Sequence, residues 1–68
     1  MNLVEAMRKA FSEKKYVSND TFKHHGVKIA PDEHQNYCNL INEKEKSVTP
    51  MWEPGITDFL DDTWDVVD

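Results

Sequence analysis

The chain is 68 residues long, with eight Lys/Arg against thirteen Asp/Glu and a net charge of −5. That length allows one domain with a marginal core, since a chain this short buries only about 60% of its unfolded surface. The single cysteine, Cys38, excludes an internal disulfide, so oligomerisation or a metal would have to add stability.

Charge is unevenly spread. Residues 1–30 hold six Lys/Arg and three Asp/Glu, and residues 31–68 hold two and ten. An acidic second half argues against duplex nucleic acid as a partner, because phosphate attraction needs a basic face. No apolar run reaches the roughly 18 residues of a membrane span, and the first residues lack the apolar core of a signal peptide. The lone cysteine fits a reducing cytoplasm. The expected location is therefore cytoplasmic.

In chain order, Asn2 can cap a helix, with Glu5 three residues on as in a capping box. Leu3, Met7, Ala10 and Phe11 follow at helical spacing as one apolar stripe. Arg8, Lys9, Lys14 and Lys15 crowd the later turns, where cations favour the helix dipole. The helix is expected over residues 3–14. Tyr16 and Val17 begin a strand, and Ser18, Asn19 and Asp20 have turn chemistry. Phe22, Lys23 and His24 are ambiguous. Gly26 breaks the chain, and Val27 to Ile29 alternates as a strand. Residues 30–33 read as a loop and 37–41 as a strand. Residues 42–46 read as a polar turn, and 47–51 as the returning strand of a hairpin, which Pro50 restricts to an edge or an end.

The last nineteen residues hold the densest supply of buriable surface. Trp52 precedes a tight turn at Glu53, Pro54 and Gly55. A helical turn over 56–61 carries Ile56, Phe59 and Leu60 on one side. Trp64 to Val67 reads as a strand, with Trp64 and Val66 on one face. The order predicts an α+β fold: an N-terminal helix on a small antiparallel sheet, with a short helical turn before the last strand.

Both ends of the chain resemble a family of short phage and bacterial proteins of uncharacterised domain type. That family includes the second Thoeris anti-defence protein, a sponge for cyclic ADP-ribose-type immune signals. At the start, Leu3, Glu5, Ala6, Met7, Lys14, Lys15 and Val17 carry the likeness. Glu13 stands where the family often has glycine, and Phe22 takes an aromatic position with no arginine before it. At the end, Trp52, Gly55, Asp58, Leu60 and Trp64 match the family's spacing without a gap. Asp61 replaces a usual alanine, and Thr63 replaces a frequent aspartate. Only residues 30–36 are available where the family commonly has a long loop. The resemblance covers roughly half the chain. It implies a homodimer or homotetramer that binds a small cyclic nucleotide near subunit contacts without cleaving it, so no enzyme is expected.

The candidate ligand residues follow from that resemblance. Trp52 would stack a purine or else form core or interface. Phe22 is a second platform or an ordinary sheet aromatic. Asp58 would accept from ribose hydroxyls or cap the helical turn, the commoner use of Asp there. Backbone N–H groups at Gly55, Ile56 and Thr57 would receive a phosphate oxygen. Lys23 and Lys28, with His24 and His25, would hold a pyrophosphate or form a solvated loop.

Chemistry beyond binding finds little support. His34 and Cys38 lie four apart but in a strand-like run, and the zinc-type spacings are missing, so no metal or other cofactor is expected. Cys38 with a histidine elsewhere is the single nucleophile–base option, and nothing in the sequence orients it. A second class of function is a small acidic module that docks on a host protein through its Asp-rich C-terminal face.

Overall fold

The computed structural model describes residues 1–68. The elements are α1 (Leu3–Glu13), β1 (Tyr16–Ser18), α2 (Asp20–His24), β2 (Val27–Asp32), β3 (Tyr37–Asn42), β4 (Ser47–Trp52), α3 (Ile56–Leu60) and β5 (Asp65–Val67). The five strands form one antiparallel sheet in the order β4-β3-β2-β1-β5, with α1 laid against β1, β5 and β2. The α+β architecture read from the sequence is the one observed.

α1 starts as expected at Asn2, whose Oδ1 accepts the Glu5 N–H at 2.8 Å. The Glu5 carboxylate closes the motif differently from a capping box: it accepts from the Asn2 side-chain amide at 2.7 Å. The helix ends at Glu13 because Lys14 turns left-handed at φ 57°. No basic residue then falls in its last turn, so the expected dipole pairing of Lys14 and Lys15 does not occur within the helix. The buried stripe is Leu3, Ala6 and Ala10, while Phe11 is exposed. Two alanines let the helix backbone approach the sheet closely, and the larger Phe11 is displaced to the flank.

Residues 19–24, read as turn and ambiguous, form the short helix α2. Asn19 is its cap: the side chain is buried and its Oδ1 accepts the Phe22 N–H at 2.8 Å. Residues 30–32, read as loop, extend β2, with Pro31 opposite Cys38 and Asp32 opposite Tyr37. β1 is only three residues long, so this end of β2 lacks a second neighbour. That is the edge environment in which a strand tolerates proline.

Two hairpins then follow with parallel chemistry. Asp32 Oδ1 accepts from the N–H groups of His34 and Gln35, and Asn42 Oδ1 accepts from Glu45 N–H. Each turn closes on a left-handed residue, Asn36 and Lys46. Gly26 sits at φ 71°, and a Cβ there would meet the Lys44 side chain at 2.8 Å, so both backbone and space require glycine.

β4 carries a bulge. Thr49 pairs Leu40 and Trp52 pairs Cys38, so Pro50 and Met51 together stand opposite Asn39. Met51 adopts φ 58° at this step. Side chains alternate along a strand, so the extra residue decides which one faces the helix. Regular pairing would have turned Met51 inward. The bulge turns Trp52 inward instead and leaves Met51 exposed.

The core is Leu3, Ala6, Ala10, Val17, Ile29 and Trp64, with Met7, Phe22, Cys38, Leu40, Trp52 and Val66 around it. Trp64 lies one residue before β5 and is 1% exposed; its Nε1–H donates to the Asp58 carbonyl at 2.7 Å. Ile56, Phe59 and Leu60, read as one apolar side of the helical turn, stay outside this core. Ile56 and Leu60 are 78% exposed, and Phe59 is more than half exposed. The indole bond to the Asp58 carbonyl ties the five-residue helix to the core, and Ile56 and Leu60 face out.

Candidate functional site: an apolar groove beside Trp52

The largest opening is a groove of about 470 Å³ lined by Leu3, Val4, Met7, Arg8, Phe11, Cys38, Trp52, Pro54 and Phe59. Its floor and walls follow from local sequence. Leu3 and Met7 lie four apart on α1, and Val4, Arg8 and Phe11 form a second stripe beside them at the same helical spacing. The β4 bulge brings Trp52 in from across the sheet, next to Cys38 of β3. Pro54 and Phe59, on either side of the turn that starts α3, close the remaining side.

Trp52 is held by aromatic contacts. Its ring centroid lies 6.2 Å from Phe22 at an interplanar angle of 77°, and 6.2 Å from Trp64 at 61°. Phe22 and Trp64 meet at 5.3 Å and 85°. These three mutual edge-to-face contacts are the preferred geometry of aromatic quadrupoles. They fix the Trp52 indole from behind while it lines the open groove.

The groove is nearly uncharged. Arg8 supplies the single formal charge among its lining residues, and no carboxylate lines it. Burial pushes the Cys38 thiol above its ordinary pKa, so the group stays protonated at neutral pH and acts as an apolar floor element.

The residues singled out from the sequence separate into three places. Trp52 is in the groove. Phe22 stands behind it as a buttress and does not line the opening. Gly55, Thr57 and Asp58 form the start of α3, on the turn between Pro54 and Phe59. There the Asp58 carboxylate accepts the Gly55 N–H at 2.7 Å, and the Thr57 carbonyl accepts from Asp61 N–H at 3.1 Å. Asp58 therefore performs the capping role. One of the backbone donors expected to meet a phosphate is already taken by a carboxylate, which disfavours an anion at that point.

Lys23 is elsewhere. It faces Asp65 at 4.0 Å and borders a separate depression of about 330 Å³ with Ser18, Lys28, Glu43 and Asp68. Lys28 is engaged there three ways: with Glu43 at 3.1 Å, with the Asp68 carbonyl at 3.1 Å, and over the Tyr16 ring at 4.1 Å. His24 and His25 meet edge to face with centroids 5.3 Å apart, and His25 Nδ1 lies 2.9 Å from the Thr21 carbonyl. The basic cluster does not share the Trp52 groove. No three metal-ligating side chains come together anywhere in the chain.

Of the groove lining only Trp52 was singled out from the sequence as a ligand residue; Leu3, Val4, Met7, Arg8, Phe11, Cys38, Pro54 and Phe59 were missed in that role. A signal for three of them was present: Val4, Arg8 and Phe11 repeat at i, i+4, i+7, parallel to the buried stripe. Pro54 and Phe59 needed the tertiary path of the chain.

Fold and groove together define a small α+β protein with an aromatic-walled, solvent-open apolar site. No protein-family model, curated protein or solved structure matches the chain.

Proposed function

We propose that the protein is a binder that captures a cyclic nucleotide signal, a cyclic ADP-ribose isomer or a cyclic oligonucleotide, without cleaving it. It would act in the host-cell cytoplasm as a phage-type anti-defence sponge. The observation that carries this reading is the placement of Trp52. A bulge dedicated to one indole turns it into an open groove, and two further aromatics hold it there. Stacking a base on such a ring contributes about 1–3 kcal/mol. A sponge works by mass action, so affinity and copy number replace chemistry. The protein is proposed to function as a homodimer or homotetramer, which gives the exposed apolar side of α3 a partner.

The test is a thermal-shift series with cyclic ADP-ribose isomers and cyclic dinucleotides in large excess over protein. A rise in Tm growing with the logarithm of free ligand is the expected result. Denaturing the purified protein and weighing any released nucleotide by mass spectrometry is the companion measurement. The reading is abandoned if no compound shifts the melting curve and no nucleotide is released.

A second reading has its own observation. Ile56 and Leu60 project from α3 close in sequence to Asp61, Asp62 and Asp65, an apolar pair beside exposed carboxylates. Such a surface suits a small acidic inhibitor that docks on a basic host protein. A stoichiometric, salt-sensitive protein complex with no bound nucleotide would favour it.

A further inference from the structure

A second opening, of about 310 Å³, adjoins the Trp52 groove. The groove follows α1 from Leu3 to Phe11, and this depression continues from Ala10 to Lys15. Phe11 is a wall of both. The sheet beneath is also continuous, because Pro31 of the depression pairs directly with Cys38 of the groove. The chemistry changes between the two. The groove is almost wholly apolar, and the depression mixes polar and apolar groups. Lys14 and Lys15 are fixed on one side of it, each donating its backbone N–H to the Ala10 carbonyl. Lys14 belongs to none of the four ion pairs in the structure. Lys15 meets Asp68 at 3.3 Å, but both side chains are well exposed, and such a pair adds little. The hairpin turn after β2 adds Asp32, Glu33 and His34. Asp32 Oδ1 is taken by the N–H groups of His34 and Gln35. Glu33 lies 3.8 Å from His34 Nε2, beyond hydrogen-bond length, so its carboxylate remains an acceptor.

We infer that groove and depression are two halves of one site, in which a nucleotide stacks its base on Trp52 and lays its ribose phosphate past Phe11 into the depression. Lys14 and Lys15 take the phosphate, and Glu33 takes a ribose hydroxyl. The inference rests on reading the groove as a nucleotide site, and it moves the anion contact away from Lys23 and Lys28. The mixed charge of the depression selects the occupant. A ribose phosphate carries hydroxyl donors and oxyanion acceptors a few bonds apart, so it needs carboxylates and cations together. A bare oxyanion would gain from the lysines and be repelled by Glu33. The depression that holds Lys23 and Lys28 shares no residue with the groove, so a base on Trp52 does not extend into it.

Adenosine and adenosine 5′-monophosphate separate the two halves when titrated by NMR into the isotope-labelled full chain. Both should shift the Trp52 indole N–H signal. Only the monophosphate should also shift the backbone amides of Lys15 and His34. It should bind roughly tenfold tighter than adenosine, as one charge-assisted contact implies. Lys14→Asn combined with Lys15→Gln should remove that advantage and leave adenosine binding unchanged. Asparagine tolerates the left-handed backbone of position 14, so the variant keeps the end of α1. Lys23→Gln should alter neither titration. The 2′,3′-dideoxy monophosphate should bind wild type more weakly than the ribose form, and Glu33→Gln should narrow that difference.

Equal affinity for adenosine and its monophosphate, or monophosphate shifts confined to the groove, overturns the inference and leaves the groove a nucleotide site. A phosphate response centred on Lys23 and Lys28 overturns it as well and returns the anion to that cluster. A dideoxy compound that binds as tightly as the ribose form sinks the Glu33 contact. If neither probe moves the Trp52 indole signal, the two-part site is gone, and the Tm series with cyclic compounds alone decides the nucleotide reading.

Discussion

A few side chains hold the turns of this protein in place, each through one or two hydrogen bonds. Asn19 is the clearest. It is buried, it caps α2, and its acceptor serves the Phe22 N–H at 2.8 Å. Asn19→Ala should cost about 1–2 kcal/mol in urea denaturation, the loss of a cap. It should also loosen the Phe22 buttress behind Trp52. Asn19→Asp keeps the acceptor and should recover most of that loss. Asp61 is a second such residue. Its Oδ1 accepts from the Thr63 hydroxyl at 2.6 Å and from the Thr63 N–H at 2.7 Å. Those bonds hold its carboxyl below the ordinary range, the hydroxyl contributing most. A depressed carboxyl stabilises the fold above its unfolded pKa, and the contribution fades as pH falls through the lower folded value. Thr63→Ala should therefore differ from wild type in urea midpoint by more at pH 7 than near pH 2, the remainder at low pH being the lost Asp20 N–H contact. A gap that stays constant across that range would show that the bonds do not act through ionised Asp61. Thr63 also accepts the Asp20 N–H at 3.2 Å, so this residue ties the start of α2 to the segment before β5.

At the scale of elements, the C-terminal segment is split between two jobs. Trp64 goes inward and anchors α3 by its indole N–H, while α3 itself turns Ile56 and Leu60 to solvent. Trp64→Ala should remove about 3–5 kcal/mol, a cost a 68-residue domain cannot absorb, and circular dichroism should show an unfolded or molten chain. Trp64→Phe keeps most of the packing and loses the bond to Asp58, so it should fold with a lowered Tm. The β4 bulge is the other decisive element. Deleting Met51 removes the bulge but leaves Trp52 opposite Cys38 under regular pairing, still on the inward face. Tryptophan emission of that deletion variant should therefore keep its wild-type maximum. A red shift would mean that the bulge geometry itself, and not the register, holds the indole. The α1 period, the turn between β3 and β4 and the final strand were legible because each depends on near neighbours. The bulge was not, since a one-residue excess against Asn39 exists only once β3 is paired. Pro50 within an alternating run was its sole local trace.

For the whole molecule, the question is what meets the exposed apolar side chains. Val4, Phe11, Met51, Ile56, Phe59 and Leu60 are all at least half exposed, on a chain whose core contains only six fully buried apolar residues. The proposed homo-oligomer predicts a sedimentation mass that is a multiple of 8.0 kDa at micromolar concentration. Ile56→Lys with Leu60→Lys should give the single protomer without lowering its helix content. A wild type that sediments as one protomer at every concentration would remove the oligomer from the account. No helix is long and apolar enough to cross a membrane.

The amino-acid order alone determined the α+β class, the helix start at Asn2 and the hairpin of β3 and β4, because periodicity, caps and turn residues act over a few neighbours. Tertiary structure decided the rest. It separated Lys23 and Phe22 from the groove, turned Asp58 into a cap, left Ile56 and Leu60 in water, and set Arg8 beside Trp52. The physical reason is that a groove wall is defined by what stands across from it. Arg8 and Trp52 are 44 positions apart in the sequence, and only the sheet register and the β4 bulge bring their elements face to face.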